Sequence, residues 1–238
     1  MRNLVMILKL RSWPLAKGFF EHLVMARYLK RVRTFSEESG TEGIEGFDYS
    51  HNKVINFSYD KRIYWTLGLL AQIPSVNKKS LLCIGPRFTT ELYVAESFGF
   101  AKNGIKGIDT FSYSKRIDVG DMHKMPFPKI FFHNVLSGWT ISYSSNPQLV
   151  ASEMMRVLRP GGFLMLAVQF VEKEATEVIP GVLSGELRIQ YLDQFDELFK
   201  PLQRIFGIEG FKPESEETRH TLVVYQKPEE FVQPDFLD

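Results

Sequence analysis

The sequence predicts a doubly wound α/β domain with a mostly parallel, seven-stranded sheet. First, short apolar runs that end near Gly or Asp alternate with helical stretches between residues 80 and 168. Second, those stretches are long enough to be the crossover connections that parallel neighbours need. Third, two further apolar runs lie close together near the C-terminus, which favours an antiparallel pair at the edge of the sheet.

The segment before residue 76 is expected to be a helical cap or lid. Apolar residues recur at helical spacing over residues 15–34, with basic residues between them, which predicts an amphipathic helix. The Gly-rich and acidic stretch 36–57 predicts a loop, and Asp60 is placed to cap a second helix that ends near Ile73. Because basic residues dominate Met1–Thr34, contact of this helix with an anionic or membrane surface is the alternative to a lid.

The alternating part predicts one domain over residues 76–228, followed by an acidic tail at 229–238. A turn at residues 160–162 is expected before the fifth strand. The predicted strands are Ser80–Ile84, Ile105–Ile108, Ile117–Val119, Ile130–Leu136, Phe163–Val168, Leu202–Ile208 and His220–Gln226, and the predicted helices are Thr89–Phe98, Pro147–Leu158 and Tyr191–Phe199.

The composition argues against several classes of function and location. The net charge of +1 over 238 residues lacks the basic excess of a general nucleic-acid binder. The single cysteine, Cys83, cannot form an internal disulfide and fits a reducing compartment, so we expect a cytoplasmic protein. The apolar run Leu4–Leu8 is interrupted by Lys9 and predicts neither a membrane span nor a signal peptide.

Ligands of an open parallel sheet bind beyond the carboxyl ends of its strands, so the residues after each predicted strand are the candidates. Gly85 permits a tight turn before a helix N-terminus. Asp109 can accept hydrogen bonds from a ribose diol, and Asp121 can accept one from an adenine amino group. Ser137 and Trp139 follow the fourth strand and would form the floor of the site.

These features resemble the class I S-adenosylmethionine-dependent methyltransferases, in particular their small-molecule branch. The resemblance covers about residues 78–170. It implies S-adenosylmethionine as cofactor, with Gly85 beneath its methionine part, Asp109 on its ribose, and Asp121 with Met122 at its adenine. The segments that carry it are Leu81-Leu82-Cys83-Ile84-Gly85-Pro86, Gly107-Ile108-Asp109, Gly120-Asp121-Met122-His123-Lys124-Met125-Pro126-Phe127 and Glu153-Met154-Met155-Arg156-Val157-Leu158-Arg159-Pro160-Gly161-Gly162.

The first loop departs from the family pattern. Where the family has alternating glycines, Gly85 is followed by Pro86 and Arg87. One hypothesis is that Arg87 compensates by pairing with the carboxylate of the cofactor.

The resemblance implies a methyltransferase, and we expect a small-molecule or carbohydrate-like acceptor that is methylated at oxygen. His123 is a candidate general base and Tyr143 a second catalytic candidate. The spacing of histidines and carboxylates predicts no metal site. Two alternatives stay open: a methyltransferase-like binding domain without activity, and a nicotinamide-dependent oxidoreductase, although the Gly-x-Gly-x-x-Gly spacing of the latter is missing.

Overall fold

The computed structural model describes residues 14–35, 62–171, 189–213 and 218–230. The chain divides into two compact units, Met1–Asp121 and Met122–Asp238. The predicted loop at 36–57, the predicted cap Asp60 and the tail from residue 231 onward lie outside the described residues. Within the described ranges, no helix has both the length and the apolar character needed to cross a bilayer.

A helix at residues 14–22 continues as a π-helix over Leu23–Tyr28. The other α-helices described are α1 (Arg62–Leu70), α2 (Thr89–Ser97), α3 (Pro147–Val157) and α4 (Leu192–Leu198). The strands described are β1 (Arg33–Thr34), β2 (Leu81–Ile84), β3 (Ile105–Asp109), β4 (Phe111–Ser112), β5 (Ile117–Val119), β6 (Phe132–Gly138), β7 (Leu158–Phe170), β8 (Gln203–Phe211) and β9 (Arg219–Gln226).

The N-terminal helix is shorter than the sequence predicts. Instead of continuing to residue 34, the chain turns at Lys30, whose φ is +49°, and β1 then pairs antiparallel with β4. The guanidinium of Arg33 donates to the carbonyl oxygens of Ser114 and Ile117 at 3.3 and 3.4 Å. These tertiary contacts override the local helical pattern, because they give the backbone and side chain of the segment partners that a longer helix would not.

In the first unit, β2, β3 and β5 form a parallel ladder. Cys83 lies opposite Gly107, Gly107 lies opposite Ile117, and Asp109 lies opposite Val119. All four residues of β2 are buried, as expected for a strand covered on both faces. The parallel register brings the carboxyl ends of these strands to a common edge, with Gly85 and Asp109 on it.

In the second unit, β6 and β7 are parallel, and β9 pairs antiparallel with both β7 and β8. The antiparallel pair expected at the C-terminus is therefore present. Helix α3 begins at Pro147 behind the cap Asn146, whose side-chain oxygen accepts the N–H of Leu149 at 3.1 Å. This is a common way for a helix to begin. Proline suits the first helical position because an N–H group there would have no partner within the helix.

The predicted turn at residues 160–162 is instead part of β7. The N–H of Gly161 donates to the carbonyl of Lys227, and the N–H of Lys227 donates to Gly162, both at 2.9 Å. The extra residues form an irregularity between the pairs Phe132–Leu158 and Asn134–Phe163. The local sequence predicts a turn at these glycines because their partner, Lys227, lies more than sixty residues away.

The strand order of the seven-stranded sheet is β5-β3-β2-β6-β7-β9-β8. Its first five strands are joined by helical or short crossover connections, and β9 is inserted antiparallel beside β7. The predicted fold class, a mostly parallel seven-stranded sheet with flanking helices, is confirmed.

Candidate functional site

The loop after β2 makes a tight left-handed turn. Gly85 has a φ of +67°, and its N–H donates to the carbonyl of Ile108 at 2.8 Å. Arg87 has a φ of +39°, which is unusual for a residue with a side chain, and Phe88 donates back to the carbonyl of Pro86. Residues 86–88 therefore form a tight turn immediately before α2 begins.

Pro86 anchors this turn to β3. The proline is buried, and a Cβ atom added to Gly107 would lie 2.8 Å from its Cγ atom and 3.0 Å from Cγ1 of Ile117. Only a glycine at position 107 allows the proline ring to approach the strand this closely. The substitution of proline into the loop thus produces a rigid turn packed on its neighbouring strand.

Asp109 ends β3 and holds the same turn. Its Oδ2 accepts the backbone N–H of Arg87 at 2.9 Å, while Oδ1 accepts the N–H and the hydroxyl of Thr110 at 2.7 and 3.3 Å. Burial raises the pKa of Asp109 above its ordinary value, and these hydrogen bonds and the Arg87 charge counteract part of that rise. Asp109 as a whole residue is half-buried, and its carboxylate fixes the turn through these hydrogen bonds.

Asp121 follows the neighbouring strand end. Gly120 donates its N–H to the backbone carbonyl of Asp109 at 2.9 Å, so the chain leaving β5 passes beside the end of β3. Asp121 is the next residue and is half-buried. The structure therefore brings Gly85, Arg87, Asp109 and the backbone before Asp121 to one edge of the first unit.

The start of α2 is occupied by a tyrosine. Tyr113 accepts the N–H of Thr89 at 3.1 Å, and its oxygen lies 3.3 Å from the Thr89 hydroxyl. Burial raises the pKa of Tyr113 to about 12. His22 from the N-terminal helix packs edge-on against both Phe88 and Tyr113, with ring centroids 5.5 Å apart in each pair. The N-terminal helix therefore covers the loop–helix junction within the first unit.

In the second unit, His123 lies on the loop before β6. Its Nε2 is 2.8 Å from Oγ of Ser144, a fully buried hydroxyl that also accepts the N–H of Asn146 at 3.0 Å. Ser144 directly follows the short helical turn Thr140–Tyr143, so Tyr143, the second catalytic candidate, is adjacent to this contact and half-buried. Met122 is half-buried at the start of the same loop.

A carboxylate–guanidinium clasp, formed by Glu153 and Arg156, fixes the loop that carries His123. Glu153 accepts the N–H of Met125 at 2.7 Å and pairs with Arg156. Arg156 in turn donates to the carbonyls of Phe127 and Met125 at 2.8 and 3.0 Å. In the sequence both residues belong to the segment Glu153–Gly162, and their spacing of three on one helix is the signal that identifies the pair.

Ser137 and Trp139 lie at the end of β6. The Ser137 hydroxyl is fully buried and makes no hydrogen bond within the described part of the chain. Trp139 has a φ of +66°, donates its backbone N–H to the carbonyl of Ala167 at 2.7 Å, and packs edge-on against His220 with ring centroids 5.2 Å apart. A buried polar atom without a partner is uncommon and suits a position that receives a ligand.

Among the described residues, no three histidine, cysteine or acidic side chains cluster as a metal site would require. Cys83 lies fully inside β2, and burial raises the pKa of its thiol well above the ordinary value.

Two sequence comparisons give similarities over parts of the chain. Residues 100–166 match a protein family described as a methyltransferase domain. The bifunctional biotin-biosynthesis protein BioHC of Teredinibacter turnerae is 41% identical over 49 residues, which cover 21% of this chain and 9% of that protein. The match thus spans less than a tenth of the length of that curated relative.

Three solved structures with TM-scores of 0.55 share the fold. The [4+2]-cyclase SpnF is 16% identical, with 73% of this chain and 83% of that chain covered. In a Haloferax volcanii complex, the protein bound to the methyltransferase activator Trm112 is 17% identical, with 79% and 98% covered. A SAM-dependent methyltransferase from Aquifex aeolicus is 14% identical, with 76% and 98% covered. At these identities the likeness concerns the fold.

Proposed function

We propose that this chain uses S-adenosylmethionine to methylate an oxygen of a small or carbohydrate-like acceptor. The match of residues 100–166 to a methyltransferase domain and the fold shared with a SAM-dependent methyltransferase support this proposal. The observation that carries the proposal is the Asp109 carboxylate, whose Oδ2 lies at the end of β3 beside the left-handed turn at Gly85 and Arg87. Parallel α/β sheets bind nucleotide-like ligands at this edge.

Asp109 keeps the capacity to bind a ribose. An ionised carboxylate has about four lone-pair positions. The N–H groups of Arg87 and Thr110 occupy two of them, and the Thr110 hydroxyl occupies a third through a longer contact. Oδ2 accepts only the Arg87 N–H among the described residues, so it can also accept a hydroxyl. The residues present therefore fit the nucleoside part of the cofactor.

When bound, S-adenosylmethionine supplies an electron-poor methyl group on a sulfonium, so the protein needs chiefly to orient the reactants and exclude water. In this proposal Asp109 binds the ribose, and Asp121 with Met122 binds the adenine. Ser137 and Trp139 form the floor, and the unpartnered Ser137 hydroxyl supports that role.

The first loop binds the methionine part of the cofactor. Gly85 and Pro86 set the backbone path, and the Arg87 guanidinium pairs with the cofactor carboxylate. The Arg87 side chain makes no hydrogen bond within the described residues, and its charge already lowers the pKa of Asp109. The position of the Arg87 guanidinium near Asp109, at the edge of the sheet, supports its pairing with the cofactor carboxylate.

His123 is proposed to take the proton from the acceptor hydroxyl, with Ser144 holding the ring. Tyr143, the second catalytic candidate, is proposed to lie beside the bound acceptor. No Asn-Pro-Pro-aromatic stretch, as found in enzymes that methylate nucleic-acid amino groups, follows β6, which argues against an acceptor of that class. We further propose a cap at residues 1–75, a cofactor-binding domain at 76–228, an acidic tail at 229–238, and a cytoplasmic location.

Thermal stabilisation by ligands tests the class. S-adenosylmethionine and its demethylated product should raise the melting temperature, and NAD should not, because only a ligand of the folded state stabilises it. Asp109→Asn should weaken binding about 10- to 100-fold in calorimetric titration, since charge-assisted hydrogen bonds to the ribose are lost. Asp118→Asn, a carboxylate on the neighbouring strand paired with Lys106, is the matched control and should bind normally.

The pH dependence of binding tests Asp109 directly. Because burial raises its pKa, affinity should fall with decreasing pH at a higher pH than an ordinary aspartate would give, and Asp109→Asn should remove this dependence. Arg87→Gly retains the left-handed turn and removes the cation; it should weaken binding, whereas Arg87→Lys should keep most of it. Unchanged affinity in Arg87→Gly would refute the carboxylate pairing.

One observation favours a second candidate, a binding domain without methyl-transfer activity. Pro86 is buried against Gly107, so the loop lacks the open backbone that glycines would give. Absence of stabilisation by both the cofactor and its product would favour this candidate. Binding of both without transfer to any hydroxylated acceptor would separate cofactor binding from catalysis.

A further inference from the structure

The helix at residues 14–28 has two different faces. Its inner face is fixed to the first unit: a Cβ atom on Gly18 would overlap the Thr90 hydroxyl, and His22 is buried. Its outer face exposes large apolar side chains, with exposed fractions between 41% and 82%: Phe19, Phe20, Leu23, Tyr28 and Leu29.

The charge of this segment is also divided between the two faces. Glu21, the only acidic residue in the described range 14–35, accepts hydrogen bonds from the hydroxyls of Tyr93 at 2.8 Å and Ser114 at 2.9 Å. Burial, with the hydrogen bond to Glu21, raises the pKa of Tyr93 to about 12, so this hydroxyl stays a donor. The acid is thereby turned inward, and the exposed Arg27, Lys30 and Arg31 lack a neutralising carboxylate on their own segment.

From this juxtaposition we propose that the outer face of residues 14–31 binds the surface of an anionic phospholipid bilayer. Bulky apolar side chains next to basic ones are the pattern of helices that lie in the plane of the interface. The apolar side chains enter the boundary between headgroups and acyl chains, and Arg27, Lys30 and Arg31 contact lipid phosphates. The two roles, lid and membrane contact, are compatible, because the inner face packs on the loop–helix junction through His22 while the outer face stays available to a bilayer.

Two observations favour a bilayer over a nucleic acid. The basic excess is confined to this segment in a chain of net charge +1, whereas nucleic-acid binding needs a broad basic surface. Leu23 and Leu29 are aliphatic, so they cannot stack on bases, but they do gain free energy in a lipid environment. The inference does not depend on the proposed methyl transfer.

Vesicle flotation of the full chain tests the proposal. The protein should float with phosphatidylcholine vesicles that contain about one third phosphatidylglycerol, and much less with phosphatidylcholine alone or at high salt. Arg27→Gln/Arg31→Gln should lower the partition coefficient about 25-fold, because each basic side chain contributes roughly a factor of five. Phe20→Ser/Leu23→Ser should lower it at least about tenfold.

Matched variants outside residues 14–31 control for effects of net charge and of exposed apolar area that do not depend on position. Lys102→Gln/Lys129→Gln removes two exposed charges, and Ile205→Ser/Phe206→Ser removes two exposed apolar side chains from β8. Both should float like the unchanged protein, and circular dichroism melts should show all variants folded.

Three results would overturn the membrane proposal. The first is a chain that stays with the buffer in the presence of anionic vesicles. The second is an equal loss of flotation in the control variants. The third is binding to heparin or single-stranded DNA as tight as to vesicles and unaffected by Phe20→Ser/Leu23→Ser, which would identify a polyanion site instead.

Discussion

The Glu153–Arg156 clasp gives a stability prediction whose size follows from its contacts. Arg156→Ala removes charged donors from the carbonyls of Met125 and Phe127. Hydrogen bonds to charged groups contribute about 1.5–3 kcal/mol each. Because the Arg156 side chain is 25% exposed, the lower value applies to each bond. With about 0.5 kcal/mol for the ion pair, the expected loss is about 3.5 kcal/mol.

This loss translates into a large thermal shift. For a chain of this size, each kcal/mol lowers the melting temperature by about 2–4 °C, so Arg156→Ala should melt about 7–14 °C lower. Arg159→Ala is the matched control, since its guanidinium makes one exposed bond to the carbonyl of Phe131 at 3.1 Å. Its melting temperature should lie within about 2 °C of the unchanged protein.

Calorimetric melts of Arg156→Ala and Arg159→Ala test whether the Glu153–Arg156 clasp stabilises the fold. Arg156→Lys should fall between the two, because an ammonium cannot span Glu153 and two carbonyls as the guanidinium fork does. If Arg156→Ala melts with the Arg159→Ala control, the clasp does not stabilise the second unit and the reasoning is refuted. The same melts repeated at high salt should retain most of the difference, since backbone contacts at partly buried positions are weakly screened.

Three further predictions concern buried groups. Gly107→Ala should destabilise by about 1–3 kcal/mol in urea titration, because its methyl group meets Pro86; adding Pro86→Ala should recover part of that loss, and no recovery would contradict the packing. Cys83 should resist iodoacetamide in the native protein and react only in denaturant, as followed by mass spectrometry, since burial raises its pKa. Burial lowers the pKa of Lys227 to about 8, so the unfolded chain binds this proton more tightly and stability should rise as pH increases from about 8 to 10.5; Lys227→Met should show a smaller rise over that range.

The parallel strands were predictable because each is a short apolar run with a punctuating residue. The strand Ile117–Val119 was predicted with its observed bounds, and Leu81–Ile84 within one residue. Local sequence could not define β1 and β4, which are two residues long and exist through pairing. Nor could it show that residues 160–162 continue β7, since the partner Lys227 is remote in sequence.

For the candidate site, the sequence identified residue types and strand ends but not their hydrogen bonds. The contact between Asp109 and the N–H of Arg87 depends on a backbone angle that no periodicity encodes. The contact of His123 with Ser144 joins two loops through a buried hydroxyl. The binding roles assigned to these residues remain proposals that the ligand titrations test.

The structure gives a reason for the sequence of the loop after β2, in which Pro86 and Arg87 follow Gly85. A residue with a side chain costs about 1–2 kcal/mol in the left-handed region, and Arg87 nonetheless occupies it. Its N–H is directed at Asp109, so the hydrogen bond offsets part of that cost. A glycine would give the same turn without strain. A strained arginine at this edge therefore motivates the proposal that its side chain pairs with a ligand carboxylate, which its guanidinium geometry suits.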